Sequence, residues 1–274
     1  MYHRLYTPRE YNRNMPASDV GIRRVLERRS PVLATLQASP ARKPELLAEL
    51  ESSRSTVDRA IGELTEAGLV EKDGSEYTVT TAGRLAHREY REYERATDAV
   101  SSTTAFVNHL PRDAPVNTSL LEGASVTMGA DHAPDQALEP SNELFKRATR
   151  MRGLAPVVLS FYPSLIAERL AEGDLNVEIV AEPDVLEALP TLPKFGMESL
   201  SEVDGLELYE SDQELPYALW IMDTPESSYA GITAYKDGGV AGVLINEAEE
   251  AVQWAEDQYA QHLEGAAEIS TTEL

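Results

Sequence analysis

The stretch Ser53–Thr80, SRSTVDRAIGELTEAGLVEKDGSEYTVT, restricts the fold more than any other part of the chain, because its apolar residues change from a helical period to strict alternation midway. Ser53 is placed to cap a helix, its oxygen accepting from a backbone N–H of the first turn. Val57, Ile61 and Leu64 follow at spacings of four and three, which makes one helical face apolar. Arg54, Ser55, Thr56, Asp58 and Arg59 fall largely off that stripe. Gly68 stands where a helix end favours a left-handed residue. Leu69 and Val70 open a strand, Glu71–Ser75 reads as a turn, and Tyr77–Thr80 alternates as the return strand.

Helix, AGLVE, strand, polar tip and strand together resemble the recognition helix and wing of a winged helix-turn-helix. Pro44–Leu50 supplies the helix before the turn, and Glu51-Ser52-Ser53 the turn. Thr80-Thr81-Ala82-Gly83-Arg84 is similar to the T-x-x-G-[RK] that opens the helix after the wing in many prokaryotic regulators. The alternatives are a plain small helical domain and a winged helix that binds protein. In the motif the recognition helix enters the major groove, so Arg54, Ser55, Thr56 and Arg59 are candidate base and phosphate contacts. Lys72, read as the wing tip, and Arg42 and Lys43, in the loop beside the motif, are candidate phosphate contacts.

Composition sharpens this reading. The 274 residues suffice for two domains. The absence of cysteine excludes disulfides and thiolate metal sites. No apolar run approaches the ~18 residues of a membrane span, so a cytoplasmic protein is expected. The formal charge of −23 is not shared evenly: residues 1–115 hold 17 basic and 17 acidic groups, leaving 7 basic against 30 acidic from residue 116 onward. DNA binding needs cations facing phosphates, and the neutral N-terminal part can segregate them onto one face. Arginine outnumbers lysine 19 to 5. An acidic, lysine-poor, cysteine-free composition looks like that of a protein from a salt-loaded archaeal cytoplasm, where salt screens self-repulsion.

The chain reads as three parts: residues 18–80 a winged helix-turn-helix, 81–117 a long helix and linker, and 118–265 an α/β sensor-like domain ending in an antiparallel meander, an α+β multidomain protein overall. Met1–Ala17, with Arg4, Arg9 and Arg13, is either an arm for a minor groove or a tail ahead of the fold. Asp19–Gln37 reads as helical, with Ser30-Pro31 expected to break it in two. From Thr81 to about Leu110 a helix of ~28 residues would be ~40 Å long. Leu85, Tyr90, Tyr93, Val100 and Val107 recur along it as a candidate dimer seam. In the last part, strands are expected at 124–128, 153–159, 176–181, 207–209, 217–222, 230–235 and 239–246. Helices are expected at 143–149, 164–172, 183–189 and 248–263, and Glu268–Leu274 as a frayed tail.

No G-x-S-x-G, P-loop, G-x-G-x-x-G or H-E-x-x-H occurs, and the five histidines are scattered, so no catalytic residue, metal or cofactor is expected. The H-x-K hallmark of phospholipase D-like enzymes is missing, although the layout is faintly similar to that fold. What remains is binding. His132 in Asp131-His132-Ala133-Pro134 follows the first strand, Arg152 opens the next, Tyr162 follows its end, and Glu182 and Asp223 follow later strands. Arg152 could grip the carboxylate or phosphate of a small anionic or polyhydroxylated metabolite, with His132 and Tyr162 orienting it; equally, Arg152 could neutralise nearby carboxylates.

The combination resembles haloarchaeal and methanogen regulators that join such a winged helix to a C-terminal domain of the FilR type, the methanogenesis regulatory protein domain. Ser53–Val70, Thr81–Arg84, Asp131–Pro134, Arg152–Pro156 and Gly238–Leu244 carry the match. The resemblance implies a transcription regulator acting on double-stranded DNA as a homodimer, with a sensor domain of unnamed ligand. The other classes open to this sequence are a protein-docking scaffold with an acidic domain and an enzyme fused to a winged helix.

Overall fold

The computed structural model describes residues 21–130, 132–191, 205–236 and 239–270. The arm expected at residues 1–17 lies outside them, as does Asp131. The chain divides into two compact units, residues 1–94 and 95–274.

The first unit runs α1 (Ile22–Ala38), α2 (Lys43–Glu49), α3 (Arg54–Glu66), β1 (Val70–Asp73), β2 (Glu76–Val79) and the opening of α4 (Thr81–Val107). Ser53 caps α3, its Oγ accepting from the Thr56 N–H at 3.2 Å. α3 buries Val57, Ala60, Ile61 and Leu64 against Val25, Leu26, Leu33 and Leu36 of α1 and Leu46 of α2. Arg29 locks α1 to α3 from outside that core, its fork meeting both oxygens of Glu63 at 2.9 and 3.1 Å. Gly68 takes the left-handed backbone, φ 71°, that ends α3. The wing turns on Gly74-Ser75 with Gly74 at φ 59°, the first central position of a turn that fits hairpin twist. Ala41 adds a bridge to this hairpin, exchanging backbone bonds of 2.9 and 3.2 Å with Tyr77.

The T-x-x-G sequence has a local cause. Thr80 Oγ1 donates to the Gly68 carbonyl at 2.7 Å and accepts from the Gly83 N–H at 3.0 Å, joining the end of α3 to the start of α4. A Cβ on Gly83 would come within 2.1 Å of the Leu69 carbonyl oxygen, so this closure requires glycine.

Pro31 does not break the first helix as expected; it lies inside a continuous α1. An interior proline costs about 3 kcal/mol. Beyond it Val32, Leu33 and Leu36 are all buried, each such side chain contributing about 1.5–3 kcal/mol, so packing holds the second half in line.

The second unit begins in the latter part of α4 and continues through α5 (Thr118–Leu121), β3 (Ser125–Met128), a 3₁₀ turn at Pro134–Leu138, α6 (Glu139–Phe145), β4 (Arg150–Ala155), α7 (Tyr162–Ala171), β5 (Asn176–Ala181) and α8 (Pro183–Ala188). It ends with β6 (Leu206–Glu210), β7 (Ala218–Asp223), β8 (Ser228–Lys236), β9 (Gly239–Asn246), α9 (Glu249–Gly265) and β10 (Ala267–Ile269). Among the described residues these strands form one mixed sheet ordered β10-β6-β5-β4-β7-β8-β9-β3. β4, β5 and β6 run parallel, and β7, β8 and β9 are an antiparallel meander. One face is covered by Ala99 and Phe106 of α4, Leu120 and Leu121 of α5, and Ala251, Trp254 and Tyr259 of α9. The other is covered by Leu144 and Phe145 of α6, Ile166 and Leu170 of α7, and Val185 and Leu186 of α8.

Three expected elements differ. The helix placed at 143–149 is α6, Glu139–Phe145, which starts four residues earlier with Pro140 in its first turn. The strand placed at 153–159 is Arg150–Ala155: β4 pairs on both sides, with β5 and β7, and Pro156 has no N–H to continue either ladder. The C-terminal segment is not frayed from Glu268. Ala267–Ile269 pairs antiparallel with β6 and Ile269 packs beside Val185 and Leu186.

One titratable group bears on the first unit's stability. His87 of α4 is buried, with Nδ1 2.7 Å from the Gln37 Oε1 of α1, and its Nε2 has no hydrogen-bond partner among the described residues. Burial holds its pKa below the usual 6.5, aided by Arg91 and opposed by Glu94. The unfolded chain therefore takes up this proton first. Stability is full above pH 6.5 and is lost as pH falls through the lower folded value. We expect the unfolding temperature to drop between pH 8 and 5.5, and His87→Gln to flatten that slope in a melt followed by circular dichroism.

Candidate nucleic-acid interface and ligand cavity

The exposed start of α3 is built by its cap. Ser53 Oγ lies 3.0 Å from Ser55 Oγ and 2.8 Å from Thr56 Oγ1, so both hydroxyls are held at the helix tip beside Arg54. Arg54, Ser55, Thr56 and Arg59 are all exposed, opposite the buried stripe. Lys72 lies on β1 opposite Tyr77, two residues before the Gly74-Ser75 tip and not at the tip itself, because the strand extends through Asp73. Arg54, Arg59 and Lys72 make no ion pair with the described residues.

Arg42 and Lys43 are engaged. Lys43 Nζ is 2.6 Å from Asp58 Oδ1 and sits 5.7 Å from the centre of the Tyr77 ring, tying α2 to α3 and the wing. The hydrogen bond to Asp58 raises the lysine's pKa and lowers the carboxylate's. Arg42 Nη2 is 3.6 Å from Glu76 Oε1.

On α4, Leu85, Tyr93 and Val100 are exposed, Tyr93 by 53%. Tyr90 packs into the first unit's core and Val107 into the second's, so the five candidate seam residues do not form one outward stripe.

The three candidate ligand contacts do not converge. Arg152 is 9% exposed on the face of β4 covered by α9. Its Nη2 donates to Asp223 Oδ2 at 2.9 Å and its Nη1 to Glu256, while Nε is buried without a partner. Ser228 Oγ donates to Asp223 at 2.6 Å, and Tyr259 of α9 donates to Glu178 of β5 at 2.5 Å, its phenol pushed up by burial and by that carboxylate. Arg152 thus fastens α9 to the sheet, and its occupied fork corrects the expectation that it grips a metabolite. His132 is exposed in the turn after β3, an edge strand separated from β4 by three others. Glu182 accepts from the Leu215 N–H at 2.7 Å, a structural bond.

Tyr162 is different. It opens α7 on the opposite face of the sheet and lines a cavity of about 130 Å³. The walls are Met151, Ile166, Ile179, Leu206, Trp220 and Met222, with Thr233 and Tyr235 from β8. Burial raises the pKa of Tyr162 and Tyr235. Sequence reasoning missed this site because apolar strand residues look like any core. The signal present was Thr233 and Tyr235, two hydroxyls at i and i+2 within β8.

Among the described residues no group of three metal-ligating side chains gathers, and no helix is long and apolar enough to cross a membrane.

Comparison with known proteins places these two units. Residues 134–265 match the family model for the middle domain of the methanogenesis regulatory protein FilR1, and residues 17–102 match that of the HVO_A0261 N-terminal domain. The two matches do not overlap, so an N-terminal domain of the HVO_A0261 type is followed in this chain by a domain similar to the FilR1 middle domain. No curated protein matches it in sequence. Among solved structures it is similar to TrmBL2, described as an archaeal chromatin protein with a novel mode of DNA binding. That match has 12% identity and a TM-score of 0.41, covering 90% of this chain and 94% of that one. It is also similar to the phospholipase D family member Nuc from Salmonella typhimurium, with 11% identity and a TM-score of 0.39, covering 53% of this chain and 98% of that one.

Removing the cation of a buried pair is costly, about 3–5 kcal/mol. Asp223 and Glu256 are about 30% exposed, at 28% and 31%, so the low end applies. Arg152→Ala should lower stability by about 3 kcal/mol in urea unfolding of the full chain, with Arg152→Lys between it and the parent. Unchanged unfolding would show that the fork does not fasten α9.

Proposed function

We propose that the protein is a homodimeric, effector-responsive regulator that binds double-stranded DNA through α3 and the wing. The supporting observation is that Arg54 and Arg59, exposed on α3 away from its buried stripe, and Lys72, exposed on β1, form no direct ion pair with a described carboxylate. Elsewhere in this acidic chain many cations are paired, as Arg29, Lys43 and Arg152 are. The division of labour we infer is residues 18–80 for DNA, 81–117 for the long helix and linker, and 118–265 for the effector. No enzymatic role is needed.

α3 would lie in the major groove with Arg54 and Arg59 toward base edges and Ser55 and Thr56 toward phosphate. Arg42 and Lys43 are already neutralised and would add little unless Glu76 and Asp58 release them. A bidentate arginine–guanine pair is worth ~1–3 kcal/mol. Arg54→Ala or Arg59→Ala should therefore weaken binding to a selected duplex about tenfold or more in a gel-shift titration. Lys72→Ala should weaken all sequences alike and reduce the salt slope by about one. Parent-like footprints for both arginine variants would end this assignment; salt-independent binding would favour a protein-docking role instead.

Dimerisation is supported by Leu85, Tyr93 and Val100, apolar side chains 50%, 53% and 45% exposed along one helix. A two-fold dimer predicts a near-palindromic operator with half-sites about one helical turn apart or a multiple of it. Tyr93→Glu should halve the mass seen by light scattering in high salt; a monomeric parent protein would refute the seam.

A further inference from the structure

We propose that the cavity between the sheet and helices α7 and α8 is a binding site for a neutral, mainly apolar small molecule carrying one hydroxyl or carbonyl group and about the size of a six-membered ring. This deepens the effector-responsive reading and depends on it only for the consequence at DNA.

Protein interiors are close-packed, with few voids larger than a water. A space of about 130 Å³ is therefore a departure from the core around it. Cavities of similar size with apolar walls stay dry and accept benzene. Among the described residues no charged side chain lines this one. A carboxylate or phosphate inside would lose its hydration with nothing to replace it, so the occupant is neutral.

The polar groups are few and close together. Thr233 and Tyr235 project from the same face of β8, and the Tyr162 phenol lies near enough to perturb that of Tyr235. Neither Thr233 Oγ1 nor the Tyr235 hydroxyl hydrogen-bonds to any described residue. The Tyr162 hydroxyl is turned toward α6, with a long contact of 3.4 Å to Asn142 Oδ1 and an interaction with Ser141. Two hydroxyls without a partner among the described residues, in the wall of an apolar chamber, fit one hydrogen-bonding group on an otherwise apolar ligand. The place also fits: Ala155 and Ala181, the last residues of parallel strands β4 and β5, are in the wall, and ligands of open α/β sheets sit beyond the carboxyl ends of their strands.

Trp220 supplies the readout. It forms part of the wall, whereas the chain's other tryptophan, Trp254, packs on the opposite face against Tyr217. In the full-length Trp254→Phe protein, emission reports Trp220 alone. Titration with cyclohexanol should change that emission saturably and raise the melting temperature of the parent protein. Cyclohexanecarboxylate should bind at least about tenfold more weakly, because its charge cannot be solvated inside. Thr233→Val, which keeps the shape, should weaken cyclohexanol binding about three- to tenfold, the loss of one hydrogen bond. Ala155→Leu should fill the space and abolish binding with the fold retained by circular dichroism. The proposal fails if cyclohexanol changes neither Trp220 emission nor the parent's melting, if the carboxylate binds equally well, or if folded Ala155→Leu binds as the parent does. Affinity for a duplex selected from random sequence is then measured with and without cyclohexanol. Saturable cavity binding that leaves DNA affinity unchanged sustains the site and defeats effector-responsive regulation.

Discussion

Strict alternation along β4, a strand covered on both faces, governs the second unit. Successive side chains of such a strand point to opposite sides. Arg152 and Leu154 therefore face α9, while Met151 and Gly153 face the cavity. A guanidinium and the wall of an apolar chamber thus come from adjacent residues of one strand and lie on opposite faces of the sheet. The same alternation places Trp220. Its partners across the ladders are Gly153 on β4 and Gly231 on β8. A Cβ at Gly231 would lie 2.1 Å from the indole, so the ring rests on bare backbone. The missing side chain at Gly231 is therefore the space that the Trp220 ring occupies.

Legibility from sequence followed how local the cause was. The cap at Ser53, the left-handed Gly68, the apolar stripe of α3 and the alternation of β2 each depend on neighbours within a few residues, and each was readable. The family motifs were readable for the same reason. Pro31 and Pro156 show the limit from opposite directions. The first was expected to break a helix, but buried leucines and valines on both sides held it. The second sat in an apolar run expected to be a strand, and pairing on both edges of β4 excluded it. The short strand β10 could not be seen at all, because its partner β6 lies almost sixty positions upstream.

The candidate site shows the same division. That Arg54 and Arg59 fall off the buried stripe was readable from periodicity. That Lys43 is neutralised by Asp58 was not, since that pair spans fifteen residues across a turn. For Arg152, His132 and Tyr162, proximity to strand ends suggested a common site, but strand order and face decide proximity, and one sequence encodes neither directly. The cavity was invisible because an absence of packing leaves no mark on composition.

Charge links the two halves of the proposal. All of the net −23 arises beyond residue 115, so the second unit repels both nucleic acid and anionic metabolites at long range. In the proposed reading DNA is approached through the first unit, where basic and acidic groups balance and Arg54, Arg59 and Lys72 form no direct ion pair with a described residue. A ligand for the second unit meets the same field. An anion pays for every acidic neighbour, and concentrated salt removes much of what a distant cation could offer, since screening shortens to about 3 Å at 1 M. A neutral apolar molecule meets neither obstacle: its binding comes from surface removed from water, which scales with area and not with charge. An acidic domain whose buried arginine is already held by two carboxylates, and whose apolar chamber has no charged side chain among its described lining residues, is suited to that kind of ligand on electrostatic grounds alone.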